Sequence, residues 1–110
     1  MTDLVIVGAG WAGCAAAVAA AKQGARVRHL EQTDMLLGPG PVGGILRNNG
    51  RLTAALELEA MGGADLLNAL EPALRHRNIS FPGHDHADLY DIALAPGAVL
   101  DCLKRWGVTL

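Results

Sequence analysis

Three glycines near the start of the chain, and one glutamate after them, have the spacing that binding of a phosphorylated ligand requires. Gly8, Gly10 and Gly13 form a G-x-G-x-x-G pattern, and Glu31 follows the last of them by 18 residues. In this pattern the first glycine permits a tight turn, the second lets a pyrophosphate approach the backbone, and the third lets a helix pack closely on a sheet. A carboxylate after the next strand can accept hydrogen bonds from ribose hydroxyls. The pattern therefore predicts a dinucleotide site.

The segments around the glycines have the strand, turn and helix character that such a site needs. Residues 3–7 are an apolar, β-branched run, typical of a strand buried in a parallel sheet. A helix is predicted from about residue 12 to 23, ended by Gly24, and a second strand over residues 25–30. The free N–H groups at the helix start would face the phosphates. The predicted pyrophosphate-binding residues are Gly8, Gly10, Trp11, Ala12 and Gly13.

The residue at position 31 bears on which dinucleotide is bound. An acid there, rather than a basic residue, favours an unphosphorylated ribose, and hence FAD or NAD over NADP. Gln32, which follows Glu31, completes the predicted cofactor-binding set at this strand end. The alternative interpretation is a structural glycine-rich turn, with Glu31 a solvated strand end.

The same opening stretch is long enough to raise the question of a membrane segment. Residues 4–21 carry no charge, which is a sufficient length for a transmembrane helix. A secretory signal needs a positive leading region, but the only charged residue before this run is Asp3. Three glycines would weaken a helix in its first half, and Val5-Ile6-Val7 prefers a strand. We therefore expect no membrane association.

Composition limits the remaining classes of function. The chain has 110 residues, of which 51% are hydrophobic and only 4% aromatic, and its net charge is −2. This length fits one small domain or part of a larger one. The basic residues form no stripe, so we expect no nucleic-acid partner. Cys14 and Cys102 lie far apart, which supports neither a disulfide framework nor a zinc site and favours a reducing, cytoplasmic setting.

The run "LVIVGAGWAGCAAA", continued by "GARVRHLE", resembles the N-terminus of FAD-dependent oxidoreductases of the glutathione-reductase-like class. The resemblance implies an α/β fold of the Rossmann type, a three-layer parallel sheet with helices on both faces, of which this chain holds an incomplete part: the N-terminal strand-helix-strand unit and additional helices. It implies FAD rather than NAD as the cofactor, because many such flavoproteins carry a Gly-Gly doublet after the ribose-binding acid. Gly43 and Gly44 match that doublet and are expected to form a second turn near the cofactor, although Pro39 and Pro41 make the turn atypical.

The end of the chain also resembles that family, in which a helix leads into a third parallel strand. Pro96 suits the first turn of this helix and Gly107 the position after its end. Its apolar face is expected to consist of Val99, Leu100, Leu103 and Trp106, with Cys102 on the boundary of the polar face. We expect three segments: a strand-helix-strand unit over residues 1–36, a helical insertion with loops over 37–95, and the helix and third strand over 96–110.

The middle of the chain is less informative. Helices are predicted over residues 52–61 and 65–76, with a kink or a break at Pro72 in the second. Residues 47–51 are expected to form a polar turn; Asn48 or Asn49 could line the site, but a solvated loop is favoured. The group His84, Asp85, His86 and Asp88 could bind metal, but a polar loop is favoured because no further ligand cluster accompanies it. We therefore expect no metal site.

The resulting hypothesis is an FAD-binding N-terminal portion or small subunit of a flavin-dependent oxidoreductase. It would hold the ADP moiety, with a small-molecule substrate reaching the flavin in a further subunit or C-terminal region, and it would not be active alone. No catalytic acid or base is assigned. Two alternatives stay open: a non-catalytic nucleotide-binding module, and an NAD-binding domain.

Overall fold

The computed structural model of the protein describes residues 1–44, 46–48, 59–82 and 84–110. Within these residues the chain forms a parallel and an antiparallel sheet, with helices packed against the parallel one. The strands are β1 (Leu4–Val7), β2 (Val27–Leu30), β3 (Leu46–Asn48), β4 (Leu74–Phe81) and β5 (His84–Tyr90). The helices are α1 (Trp11–Lys22), the single turn α2 (Pro39–Val42), α3 (Ala64–Leu70) and α4 (Ala95–Arg105).

The strand-helix-strand unit predicted at the start of the chain is confirmed. β1 and β2 pair in parallel, with Leu4 opposite Val27 and Val7 opposite Leu30. Gly24 follows α1 with a φ of +90°, the left-handed conformation that a glycine adopts without strain. Parallel strands need a crossover connection, and α1 provides it.

Where a third strand is predicted, the structure has one isolated bridge, at Thr109 beside β2. Thr109 forms a parallel bridge with Arg28, accepting a hydrogen bond from the His29 N–H at 2.7 Å and donating one to the Val27 C=O at 3.0 Å. β2 therefore lies between β1 and Thr109. This arrangement and the helices confirm the α/β class and an incomplete Rossmann-like fold.

The helix before that strand, α4, agrees with the sequence in its bounds but not in every face assignment. Pro96 lies in the first turn, and Gly107 follows the helix with a φ of +78°. Val99 and Leu103 are buried, as the apolar pattern predicts. Cys102, expected on the polar boundary, is instead buried, because α3 packs against α4 there and the Cys102 thiol lies 3.9 Å from a carbonyl oxygen of α3.

The two faces of the parallel sheet are covered unequally. Val27 and His29 of β2 are buried toward α1 and α4, and Ile6 of β1 packs against the same core. On the opposite face, Val7 is 81% exposed, and the side chains of Val5, Arg28 and Leu30 are exposed as well. Among the described residues, the helices therefore cover only one face of this sheet.

The prediction of a helix over residues 65–76 is wrong beyond Leu70. A single helical turn, Glu71–Ala73, contains Pro72, and the chain then enters β4 at Leu74. Proline removes a helical hydrogen bond, so the break occurs where the sequence places it. Of the helix predicted over 52–61, residues 52–58 lie outside the described residues, and Glu59–Gly63 is an irregular turn in which Gly62 has a φ of +95°.

The prediction of a polar loop between residues 81 and 91 is also wrong. β5 occupies most of this segment and is the central strand of the antiparallel sheet, in the order β3-β5-β4. Asp88 is buried, and its carboxylate accepts a hydrogen bond from the Asn78 N–H at 2.8 Å, which offsets the cost of burial. The expected polar turn at 47–51 begins inside β3, and its residues 49–51, including Asn49, lie outside the described residues.

Candidate functional site

The turn between β1 and α1 begins at Gly8, whose φ of +96° is a conformation that residues with side chains rarely adopt. The Gly8 N–H donates to the Leu30 C=O at 2.7 Å, so the turn stays joined to the end of β2. The tight exit from the strand that the sequence predicts is therefore present in the structure.

Gly13 lies where α1 passes over this turn. A Cβ added at Gly13 would be 1.9 Å from the Gly8 carbonyl oxygen and 3.2 Å from Nε2 of His29. Real Cβ atoms do not approach a backbone oxygen so closely, and any side chain would push the helix off the strand. The predicted role of Gly13 in close packing is confirmed.

Gly10 occupies the residue before α1, and the end of the helix is open there. No side chain among the described residues caps this end. A Cβ added at Gly10 would find no described atom within 4 Å, so the space beside it is free. The first N–H groups of a helix have no partner within the helix, and those of Trp11, Ala12 and Gly13 belong to this first turn. The arrangement suits an anion at the positive end of the helix dipole.

The Glu31 carboxylate lies against the same turn. Its Oε2 accepts a hydrogen bond from the Ala9 N–H at 2.8 Å, and Oε1 accepts from the N–H groups of Gln32 and Thr33 at 2.7 and 3.3 Å. The hydrogen bonds from Ala9 and then Thr33 hold the pKa of Glu31 below its usual value near 4.5. A carboxylate has about four acceptor positions, so these three hydrogen bonds leave one for a ligand hydroxyl.

These residues surround one cavity of about 440 Å³. Its lining includes four of the predicted cofactor-binding residues, Gly8, Gly10, Glu31 and Gln32. Gly38 closes the cavity from the following loop, which is tied back by a hydrogen bond of 2.7 Å from the Leu37 N–H to the Ala9 C=O. The structure thus brings the glycine turn and the acidic strand end to a common space.

A second cavity, of about 260 Å³, also borders Glu31. Glu31 and Thr33 line both cavities, and His29 and Leu110 are among the other residues lining the second. The two cavities therefore share the residues that follow β2.

The predicted second turn at Gly43 and Gly44 lies elsewhere. Gly44 has a φ of +80°, and its N–H donates to the Pro41 C=O at 3.2 Å, so the doublet does form a turn. Gly44 borders a separate groove of about 250 Å³ beside Tyr90, and neither glycine lines the cavity at Glu31. Their contact with a cofactor stays a prediction.

Two features of the site were missed in the sequence. Leu37 adopts a φ of +74°, which is costly for a residue with a side chain, and it is held there by burial and by its hydrogen bond to Ala9. His29 is buried beneath the glycine turn, with Nε2 2.8 Å from the Gly8 carbonyl oxygen. The only sequence signal for the second feature was that His29 alternates with Arg28, on the same side of the strand as Val27.

The remaining candidate residues stay outside this site. Within the described part of the chain, no group of histidine, cysteine, aspartate and glutamate side chains could hold a metal ion. The side chains of His84, Asp85 and His86 lie outside that description. Cys14 and Cys102 are both free and buried, and burial raises the pKa of the Cys14 thiol to about 12.

Comparison with known proteins gives a family and a fold. A family model described as "FAD dependent oxidoreductase" matches residues 3–100. The crystal structure of THI4 from Thermovibrio ammonificans superposes with a TM-score of 0.63 at 20% sequence identity, over 98% of this chain and 37% of THI4. QhpG, a peptidyl tryptophan dihydroxylase essential for tryptophylquinone cofactor biogenesis, gives 0.57 at 23% identity, over 98% of this chain and 24% of QhpG.

At these identities the two structures establish the fold alone, and this chain spans little more than a third of THI4 and just under a quarter of QhpG. No curated protein matches the sequence significantly. None of the described helices is both long enough and apolar enough to cross a membrane.

Proposed function

This chain belongs to the family of FAD dependent oxidoreductases, whose cofactor is FAD, and we propose that it holds the ADP moiety of that cofactor. The observation that carries the proposal is the open end of α1, which faces free space at Gly10 beside the cavity that Gly8, Gly10 and Glu31 line. The N-terminus of α1 has no side-chain cap, Gly10 has no side chain to fill the space beside it, and the Glu31 carboxylate is adjacent. These three features fit a pyrophosphate joined to a ribose.

The backbone at the start of α1 binds the pyrophosphate. Within the helix the N–H groups of Trp11, Ala12 and Gly13 have no acceptor, so they can donate to phosphate oxygens, and the helix dipole adds to the attraction. Gly10 contributes by having no side chain, because a Cβ there would extend into the free space that the phosphates need.

Glu31 binds the ribose. Its carboxylate is ionised and held in place by three backbone N–H groups, and its remaining acceptor position takes a ribose hydroxyl. A negative charge at this position repels a 2′-phosphate, which supports a cofactor with an unphosphorylated ribose. Gln32 and Thr33, which also line the cavity, extend the same wall.

The bound flavin supplies hydride or electron transfer. The residues of this chain bind and orient the adenylate end, and none is assigned as a catalytic acid or base. The substrate is a small molecule, and a further polypeptide forms the part of the site where this molecule reaches the flavin.

That further polypeptide, a C-terminal region or a separate subunit, covers the free face of the parallel sheet. Val5, Val7 and Leu30 are 51%, 81% and 45% exposed on that face. Within the described residues no strand pairs with the outer edge of β1. An exposed apolar face and an unpaired strand edge are unfavourable in water, which supports a covering polypeptide. The length of the structural neighbours, about three to four times that of this chain, supports it as well. The buried, unpaired thiols of Cys14 and Cys102 support a reducing, cytoplasmic location.

Titration of the purified chain with ADP tests the proposal, because ADP is the part of FAD that the site is expected to hold. We expect the backbone amide resonances of residues 10–13 to shift on binding. Glu31→Gln should weaken the affinity about tenfold or more, since a hydrogen bond to a charged group is lost. Glu59→Gln, at an exposed position distant from the cavity lining, is the matched control. Equal affinities in the two variants would contradict the role of Glu31.

The two alternatives are distinguished by adding the completing polypeptide. A flavin absorbance band near about 450 nm in the complex supports the oxidoreductase. ADP binding without flavin in any such complex would favour a non-catalytic nucleotide-binding module. Retention of NAD in place of flavin would favour an NAD-binding domain.

A further inference from the structure

His29 is a polar residue at a position where the fold calls for an apolar one. It lies on the covered face of β2, opposite Ile6 of β1, and only 1% of its surface is exposed. Burying a polar group is unfavourable unless it is hydrogen-bonded. Among the described residues, its side chain makes one hydrogen bond, to the Gly8 carbonyl oxygen, and this contact compensates for its burial.

That hydrogen bond fixes which ring nitrogen carries a proton. Nε2 lies 2.8 Å from the Gly8 carbonyl oxygen. A carbonyl oxygen only accepts hydrogen bonds, so Nε2–H is the donor. Nδ1 is buried and has no hydrogen-bond partner among the described residues, which is tolerable for a bare ring nitrogen but costly for a second N–H. The geometry assigns the Nε2–H tautomer.

The acceptor belongs to a peptide unit whose other end is also held. The C=O of Gly8 and the N–H of Ala9 are parts of one planar peptide group. His29 donates to the carbonyl end, and Oε2 of Glu31 accepts from the N–H end at 2.8 Å. Two side chains from β2 and its end thus fix the orientation of one peptide in the glycine turn.

We propose that His29 is a positioning residue for ADP binding, which acts by fixing the Gly8–Ala9 peptide group. With that peptide held, the Ala9 N–H points at Glu31 and the carboxylate keeps the orientation that binds ribose. The backbone that leads into the first turn of α1 is held by the same contact. This role rests on the proposed function, since the ligand it serves is the ADP moiety.

Three variants test the proposal, with ADP as the probe. His29→Met keeps a side chain of similar volume but has no donor, and we expect the ADP affinity to fall about tenfold, the equivalent of one hydrogen bond. His29→Gln places an amide N–H near the position of Nε2–H and should restore the affinity to within about threefold of wild type. His76→Met, at an exposed position on β4, is the control and should bind as wild type does.

Two measurements on the free protein separate positioning from packing. In the wild type, the ring ¹⁵N shifts should show the Nε2–H tautomer, and the Ala9 amide resonance should move in His29→Met but return in His29→Gln. Equal loss of affinity in both His29 variants, an Nδ1–H tautomer, or an unchanged Ala9 amide would each overturn the proposal. Failure of the wild type to bind ADP would refute the proposed function instead, and the Ala9 amide would still decide whether His29 fixes the peptide.

Discussion

The indole of Trp11 lies against the phenol ring of Tyr90, with the ring centroids 5.7 Å apart and the planes tilted by 55°. Trp11 is the first residue of α1, and Tyr90 is the last residue of β5. The contact therefore joins the helix end that is proposed to bind the pyrophosphate to the antiparallel sheet. The antiparallel sheet therefore packs against the first residue of α1 through Tyr90.

Replacing Trp11 should show the strength of this link. We expect Trp11→Leu to lower the free energy of unfolding by about 1–2 kcal/mol, because the aromatic contact and part of the buried area are lost. Urea denaturation followed by circular dichroism measures the change. Trp106→Leu is the control, since Trp106 is 37% exposed and contacts the Lys22 ammonium group at 5.8 Å. An equally large loss in the control would argue against a special role for the Trp11–Tyr90 pair.

Alanine substitutions at two glycines of the G-x-G-x-x-G pattern should have different effects, one on stability and the other on ADP binding. Gly13→Ala places a Cβ 1.9 Å from the Gly8 oxygen, and we expect a loss of about 3 kcal/mol in the free energy of unfolding, or failure to fold. Gly10→Ala meets no described atom within 4 Å and has a φ of −73°, so stability should be unchanged. ADP affinity should nevertheless fall in Gly10→Ala. Thermal denaturation and ADP titration of both variants test this, and a destabilised Gly10→Ala protein would contradict it.

The hydrogen bonds to the Glu31 carboxylate should make the free energy of unfolding decrease as the pH falls in the acid range. Its pKa is lowered in the folded state, mainly by the Ala9 N–H, so the folded protein binds this proton less readily than the unfolded chain does. Its contribution is therefore present above the usual value near 4.5 and is lost as the pH falls through the lower folded pKa. We expect the urea midpoint to fall between about pH 5 and pH 3, and less steeply in Glu31→Gln.

The Asp3 carboxylate is the comparison for that experiment. The guanidinium of Arg26 lowers the pKa of Asp3, and the pair is exposed at the starts of β1 and β2. Asp3→Asn should therefore remove a separate part of the same acid dependence. Identical pH profiles for the wild type and Glu31→Gln would show that the hydrogen bonds to Glu31 do not stabilise the fold.

The two thiols should be unreactive in the folded protein. Burial, and secondarily the Glu31 carboxylate, raises the pKa of Cys14 to about 12, and burial also raises the pKa of Cys102. The reactive form of a cysteine is the thiolate, so a disulfide reagent at about pH 8 should modify neither residue until denaturant is added. Rapid modification of Cys14 in the native chain would mean that the base of the glycine turn opens readily.

The parts of the fold that were predicted correctly depend on local sequence. β1 is specified by a β-branched run, α1 by its alanines, and the start of β2 by Gly24, which ends the helix, all within about 30 residues. The spacing of Gly8, Gly10 and Gly13 likewise predicted the turn and the close approach of the helix. These signals act between neighbouring residues, and a single sequence is sufficient to identify them.

The parts that were missed depend on pairing between distant residues. β4 and β5 form a hairpin with register shifts, and their polar side chains gave no alternation that distinguishes a strand from a loop. The role of His29 depends on its hydrogen bond to Gly8, which is 21 residues earlier in the chain. The burial of Cys102 arises in the same way, from packing of α3 against α4.

Within the described residues the outer edge of β1 is unpaired and the side chain of Val7 is exposed. Both features bear on the cellular concentration of this protein. A strand edge with apolar neighbours attracts other edges of the same kind. Where the completing polypeptide proposed above is a separate subunit, molecules in excess of it should therefore self-associate or be degraded, while bound molecules are protected by mass action. In that case we expect the steady-state amount of this chain to follow the supply of the subunit rather than its own rate of synthesis.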